Sequence, residues 1–338
     1  MKIKIAELER HRNETTFRPY LAAMGELSHH GVEFVNTENE ADVVFVGQAS
    51  IIDKKKTLEE SSRMGLEFLK NINKPFVVFD GQDSSSLIGT WDVCKNYYGL
   101  KLVKNVILDS IDDYKTPYEN GRWFWGKSEC GSGGYNVTDI NCLKESLLLS
   151  GVNWLNTYGN EFTFNRVNKD KKYDVAIMIG LSTENYEHGV RVDDLYNESR
   201  KNLFSASNKL KCKVITTEKT GKLNRNQYLD VLYNSKFCVS PFGYGEVNIR
   251  EVEAIMAGAV IIKPSIEKVM TKPWVYGEGM SLTCKDDYSD LVEIVETMLP
   301  DYYNFAEGML YEQHKRFSLD ASHEAVAEHL IVNVLSKL

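Results

Sequence analysis

The stretch SPFGYGEVNIREVEAIMAGAVIIKP, from Ser240 to Pro264, sets two glycines around a tyrosine and follows them at once with a carboxylate. A helix-like run comes next, carrying Arg250 and Glu253 among apolar residues, and the short apolar segment AVIIKP closes it. Upstream, KFCVSPFG (236–243) reads as a strand. Strand, glycine loop, helix and strand in that order form one unit of a parallel sheet. Ligands of such sheets bind at the carboxyl ends of the strands. Glycines there let the backbone approach a ligand with no Cβ in the way. A helix beginning near Glu246 or Val247 turns its free N–H groups and positive dipole end toward the loop, which suits an anion of phosphate size.

Glu246, Arg250 and Glu253 are spaced four and three, so they form one stripe of that helix. Ile249, Val252 and Met256 form a second stripe that should face the core. The Arg250 guanidinium offers a fork of donors for phosphate oxygens. A carboxylate such as Glu253 can accept both hydroxyls of a ribose. The same spacing also fits a solvent-facing ion-pair ladder, worth about 0.2–0.5 kcal/mol per pair. The glycine loop in front of it is what favours a site.

Working outward, short apolar runs alternate with helical patterns on both sides. KIKIAEL (2–8), VEFV (32–35), ADVVFVG (41–47) and KPFVVFD (74–80) read as strands. Phe17, Leu21, Met24 and Leu27 mark a helix between the first two, and a second helix lies near 57–70. The pattern is less regular over 105–165, where PYENGRWFWGKSECGSGGYN is rich in glycine and aromatic residues and reads as a long loop. It restarts with KKYDVAIMIG (171–180), KCKVITT (211–217) and NRNQYLDVLYNS (224–235). The fold class expected is α/β, with two Rossmann-like doubly wound domains facing across a cleft. Residues 1–168 make the first domain and 169–300 the second. Residues 301–338 return as helices to the first, with Val326, Leu330 and Val334 as the docking stripe.

A chain of 338 residues is long for one core and comfortable for two. With 43% hydrophobic and 26% charged residues, the composition is that of an ordinary globular protein. No apolar run approaches the roughly 20 residues that span a bilayer. The start, MKIKIAELERHRNE, lacks the apolar core of a signal peptide, so a cytoplasmic location is expected. Cys94, Cys130, Cys142, Cys212, Cys238 and Cys284 form no Cys-x-x-Cys pair, which argues against zinc, and Cys238 reads as a small core residue. A net charge of −8 disfavours broad binding to nucleic acid without excluding a local basic groove.

The 240–264 stretch, together with GKLNRNQYLDVLYNSKFCVSPFG before it, resembles the donor-binding segment of exostosin-like and group-one glycosyltransferases of the GT-B fold. The likeness covers about 170–300. It implies a transferase that moves a sugar from a nucleotide-sugar donor to a hydroxyl acceptor. By position, Glu253 resembles the acid that holds the nucleotide ribose, and Arg250 the residue that neutralises the donor diphosphate. Gly243 and Gly245 resemble the close-approach glycines. Tyr244, Glu246 and Asn248 in the same segment complete the donor-binding candidates. Retaining members carry a further Glu eight positions before the second; here that position is Gly245 and Glu246 is displaced by one. Inverting and retaining chemistry therefore both stay open.

An inverting transferase needs a base for the acceptor hydroxyl. DGQDSSS follows the strand 74–80, and Asp83 is the candidate base, with Asp80 behind it. Asp and Ser after a strand are also common turn residues. Trp123 and Trp125, between Arg122 and Lys127, suit stacking on an acceptor sugar or an unpaired base, or filling space under a loop. The acceptor expected is a glycan, or a hydroxymethylated DNA base reached by flipping. No metal and no cofactor beyond the donor are expected, because DSIDDY (109–114) lies on an irregular segment with no phosphate loop beside it. An epimerase acting on the sugar nucleotide, or a non-catalytic module that binds it, remains an alternative.

Overall fold

A computed structural model describes residues 1–6, 10–53, 55–81, 85, 90, 93, 101–104, 106–109, 167–181, 186–187, 190–191, 193–243 and 245–338. The first half begins with β1 (Lys2–Ile5), α1 (Arg10–Ala22), α2 (Met24–His29), β2 (Glu33–Phe34) and β3 (Val43–Gly47). It continues with α3 (Leu58–Lys70), β4 (Phe76–Asp80), β5 (Lys101–Lys104) and β6 (Val106–Leu108). The second half holds β7 (Tyr173–Ile177), β8 (Tyr186–Glu187), β9 (Val190–Arg191), α4 (Asp193–Ser207), β10 (Val214–Thr216), α5 (Thr217–Thr220) and α6 (Arg225–Tyr233). Then come β11 (Ser235–Val239), α7 (Ile249–Met256), β12 (Val260–Pro264), β13 (Val269–Thr271), β14 (Leu282–Cys284) and α8 (Leu291–Met298). The chain ends with α9 (Tyr302–Ala321) and α10 (His323–His329), extended by a π-helical turn (Leu330–Val334) and a 3-10 turn (Leu335–Lys337).

Two five-stranded sheets result, ordered β2-β1-β3-β4-β5 and β10-β7-β11-β12-β14. Every pairing within them is parallel. Parallel strands covered on both faces are nearly continuous apolar runs, and VVFVG in β3 and VIIKP in β12 are buried at every position, Lys263 included. In each sheet the first strand sits between the second and third, so the connections diverge from it to either side. That divergence opens a crevice at the carboxyl ends of the first and third strands, β1/β3 in one sheet and β7/β11 in the other.

Contacts among the described residues join the two halves. Strand β6 pairs antiparallel with β13, Val106 opposite Thr271 and Leu108 opposite Val269. The Ser85 amide, beyond the end of β4, donates to Glu246 of the second half at 3.0 Å. Helix α10 packs on α1 and α2. Its Val326 and the Leu330 and Val334 that follow are all buried, as their four-residue spacing requires.

Some expectations change in detail. The single helix expected through Phe17 and Leu27 is broken at Ala23, which turns Met24 to solvent at 49% exposure while Tyr20 joins the core. Strands β5 and β6 stand where no strand was expected. The site helix starts at Ile249, not near Glu246, so Glu246 belongs to the loop and not to a helical stripe with Arg250 and Glu253.

Candidate functional site

The carboxyl ends of β7 and β11 lie at the crevice of the second sheet, and Arg250 spans them. Its Nε donates to the Met178 carbonyl, just past β7, at 3.1 Å. One terminal nitrogen reaches the Ser240 hydroxyl, just past β11, at 3.4 Å. An arginine carries five N–H donors; among the described residues these two contacts hold the guanidinium across the strand ends. The remaining donors suit an anion arriving at the crevice.

The loop from β11 to α7 is shaped by its smallest residue. A Cβ on Gly243 would come 2.5 Å from Asn248 Oδ1, so a larger residue there would have to displace the Asn248 side chain from the helix start. The Asn248 side-chain amide donates inward, to the Pro241 carbonyl at 3.2 Å and to Glu251 at 3.0 Å. Asn248 thus shapes the loop. At the other end of α7, Gly258 takes φ +71 and stops the helix one residue past its cap.

Glu251 carries no signal in the polar stripe of the sequence, yet it organises the site. It is fully buried and accepts from Ser240 Oγ at 2.8 Å, Lys263 Nζ at 2.6 Å, the Tyr276 hydroxyl at 2.5 Å and the Asn248 backbone N–H at 3.2 Å. Lys263 is only 2% exposed, and Glu251 is the carboxylate it pairs with at 2.6 Å. Ser240 links this network to Arg250. A different signal does mark it: Asn248-x-x-Glu251 has the spacing of a capping box, which Glu246 upstream obscures.

Glu253 faces α6. Its two oxygens accept from Arg225 at 2.5 Å and from the Tyr228 hydroxyl at 2.6 Å. Burial, then the Glu253 charge, push the Tyr228 phenol far above its ordinary range, so it remains a donor. The ion-pair ladder among Glu246, Arg250 and Glu253 is not formed on a solvent-facing surface, because Glu246 and Glu253 are 1% and 3% exposed.

Glu246 faces the first half of the chain. One oxygen accepts the Ser85 amide, and among the described residues the other, also buried, has no partner. Burial pushes the Glu246 carboxyl up to about 8, against the Ser85 amide, its own amide and the charges of Lys104 and Lys263.

Asp80, expected as a base, is fully buried at the end of β4 and paired with the equally buried Lys104 of β5 at 3.1 Å. The contact is ionic and not a well-angled hydrogen bond. A carboxylate buried in an ion pair there does not present itself to a substrate, so it fits a structural part better than a catalytic one. Asp83, Tyr244, Trp123 and Trp125 lie outside the described residues. Cys238 is a core thiol pushed up to about 12 by burial. Among the described residues no cluster of His, Cys, Asp and Glu could hold a metal, and no helix is long and apolar enough to cross a membrane. An open groove of about 590 Å³ beyond β12 and β14 is lined by Asp286, Asp287 and Asp290 with Lys285. Its charge is net acidic, which disfavours a diphosphate there.

Two parallel sheets of like strand order, with their carboxyl ends in contact and a C-terminal helix returning to the first half, define the GT-B fold. Comparison with solved structures agrees: the chain is similar to sucrose-phosphate synthase from Thermosynechococcus elongatus, with a TM-score of 0.51 and 12% identity over 98% of this chain and 97% of that one. Weaker likenesses include Anabaena HepE in complex with UDP-glucose (TM-score 0.41, 12% identity, all of both chains). Another is an alpha-glucosyltransferase in complex with UDP and DNA containing an HMU base (TM-score 0.46, 10% identity, 93% of this chain and 94% of that one). No protein-family model and no curated protein matches the sequence.

Proposed function

We propose that this protein is a glycosyltransferase that moves a sugar from a nucleoside-diphosphate sugar to a hydroxyl acceptor. The observation that carries the reading is Arg250 lying across the ends of β7 and β11, at the crevice where sheets of this order take their ligands. In such a transfer the acceptor oxygen bonds to the sugar's anomeric carbon as that carbon's bond to the diphosphate breaks. The diphosphate leaves with the electron pair, and Arg250 stabilises the charge as it develops. Gly243 and Gly245 let the backbone come close to the donor, and Glu253 takes the ribose hydroxyls. The fold likeness supports the architecture; the reaction rests on these side chains.

On this reading Arg250 does the work a divalent ion does elsewhere, so a chelator leaves activity unchanged. Asp83 is the proposed base, and Trp123 and Trp125 the proposed acceptor platform. Residues 1–168 would carry the acceptor side and 169–300 the donor side. The acceptor is a glycan or a hydroxymethylated DNA base. The test is to incubate the protein with a panel of nucleotide sugars and measure nucleoside diphosphate release with and without glycans or hydroxymethylated DNA. Acceptor-dependent release supports transfer. Turnover of the sugar without an acceptor would indicate epimerisation, and binding with no turnover would indicate a binding module.

A further inference from the structure

Glu253 is the residue that the proposed function gives to the donor ribose, and its carboxylate is held from outside its own helix. The Asn224 side chain accepts the Gln227 amide at 3.0 Å, and the Gln227 side chain accepts the Asn224 amide at 3.1 Å. This reciprocal cap fixes where α6 begins. Arg225 and Tyr228 then stand three residues apart on one face of α6, and α6 packs against α7. Arg225 takes one Glu253 oxygen at 2.5 Å and Tyr228 the other at 2.6 Å. With a donor on each oxygen, the carboxylate can neither rotate nor withdraw. Arg225 also offsets the charge of a carboxylate that is only 3% exposed.

We infer that Arg225 and Tyr228 are positioning residues: they fix the plane of the Glu253 carboxylate so that it meets a vicinal diol, and they thereby set a preference for ribonucleotide over deoxyribonucleotide donors. The inference rests on the reading of Glu253 given above. A carboxylate accepts about four hydrogen bonds in all, so holding it by these two donors is compatible with its accepting others from a diol. Arg250 lies one turn before Glu253 on the same face of α7, about 5–6 Å away between Cβ atoms. That spacing lets one nucleotide reach both, with its diphosphate on Arg250 and its ribose on Glu253. The two contacts are separable, and that makes the inference testable.

The experiment is calorimetric titration of UDP, dUDP, GDP, dGDP and inorganic pyrophosphate into the wild type and into Tyr228→Phe, Arg225→Met and Arg225→Lys. Tyr228→Phe removes only a hydroxyl and Arg225→Lys keeps a cation opposite the buried Glu253, so these two should keep the fold; Arg225→Met removes that cation, and its fold is checked by circular dichroism before titration. The wild type is expected to prefer the ribose form by about tenfold or more, as loss of a hydrogen bond to a charged group implies. That preference should fall to about threefold or less in Tyr228→Phe and Arg225→Met, with Arg225→Lys restoring most of it. Pyrophosphate affinity should not change, because pyrophosphate meets Arg250 and not Glu253. A folded variant that keeps the full wild-type preference overturns the inference while leaving Glu253 at the ribose. A wild type with no ribose preference overturns both.

Discussion

Glu251 and Glu246 are two buried carboxylates with opposite circumstances. Glu251 is surrounded by donors, and replacing it with Ala would leave the buried Lys263 without its carboxylate partner. Breaking a buried pair in this way costs about 3–5 kcal/mol. Urea unfolding should show that loss, and a change within about 0.5 kcal/mol, as at an ordinary surface site, would contradict the network described. Glu246 has, among the described residues, one hydrogen bond from the other half of the chain, and burial raises its carboxyl from 4.5 to about 8. In the unfolded chain it releases its proton near 4.5; in the folded chain it keeps that proton to about 8. Between these values the native state binds the extra proton, so stability falls as pH rises through the window and levels off above it. Glu246→Gln accepts the same Ser85 amide and cannot ionise. Relative to this variant the wild type should lose a few kcal/mol of unfolding free energy between pH 5 and 8, on the order of 1.4 kcal/mol for each step of one in pH. A difference between the two proteins that does not vary with pH would show that Glu246 ionises normally.

The loop from β11 to α7 shows how much of the site is legible in the sequence. The order of strand, glycine loop, helix and strand can be read because parallel strands are mostly apolar and glycine has few other uses at such a point. Arg250 can be read for the same reason, through its distance from the loop. The helix start cannot be read as easily, because the spacing of Glu246 to Arg250 and Glu253 imitates the start of a stripe, whereas the Asn248 cap and its partner Glu251 mark the true beginning. Buried charges are the hardest to read. Lys104 interrupts an apolar strand and can be buried only because Asp80 stands beside it in register, a pairing that local sequence does not reveal. Arg225 and Tyr228 escape notice because what they touch lies on another helix. Gly243→Ala would press a methyl group against the Asn248 side chain. Overpacking of this kind costs about 1–3 kcal/mol and would shift the loop. Donor affinity should fall together with stability; a Gly243→Ala protein with wild-type thermal stability and donor affinity would show that the loop tolerates the side chain.

At the scale of the molecule, the two sheets are legible in the alternation of apolar runs and helical patterns, but their joining is not. The β6–β13 pairing and the Ser85–Glu246 contact unite segments far apart in sequence, and no local pattern announces them. The return of α10 to α1 and α2 shows in the sequence only as a stripe in need of a surface. Leu330 is fully buried in that contact, so Leu330→Ala should cost about 2–5 kcal/mol in chemical unfolding. A cost below about 1 kcal/mol would mean that the stripe does not bind the terminal segment to the first half. On the proposed function, these contacts hold the crevice at β7 and β11 in place for a donor. Titration of UDP and GDP into the wild type and into Arg250→Ala puts that to the test. Loss of charge-assisted hydrogen bonds worth about 1.5–3 kcal/mol predicts an affinity for the preferred nucleotide roughly ten- to a hundredfold weaker in the variant, with its fold intact. A folded Arg250→Ala protein that binds the nucleotide as tightly as the wild type would contradict a donor diphosphate at this crevice.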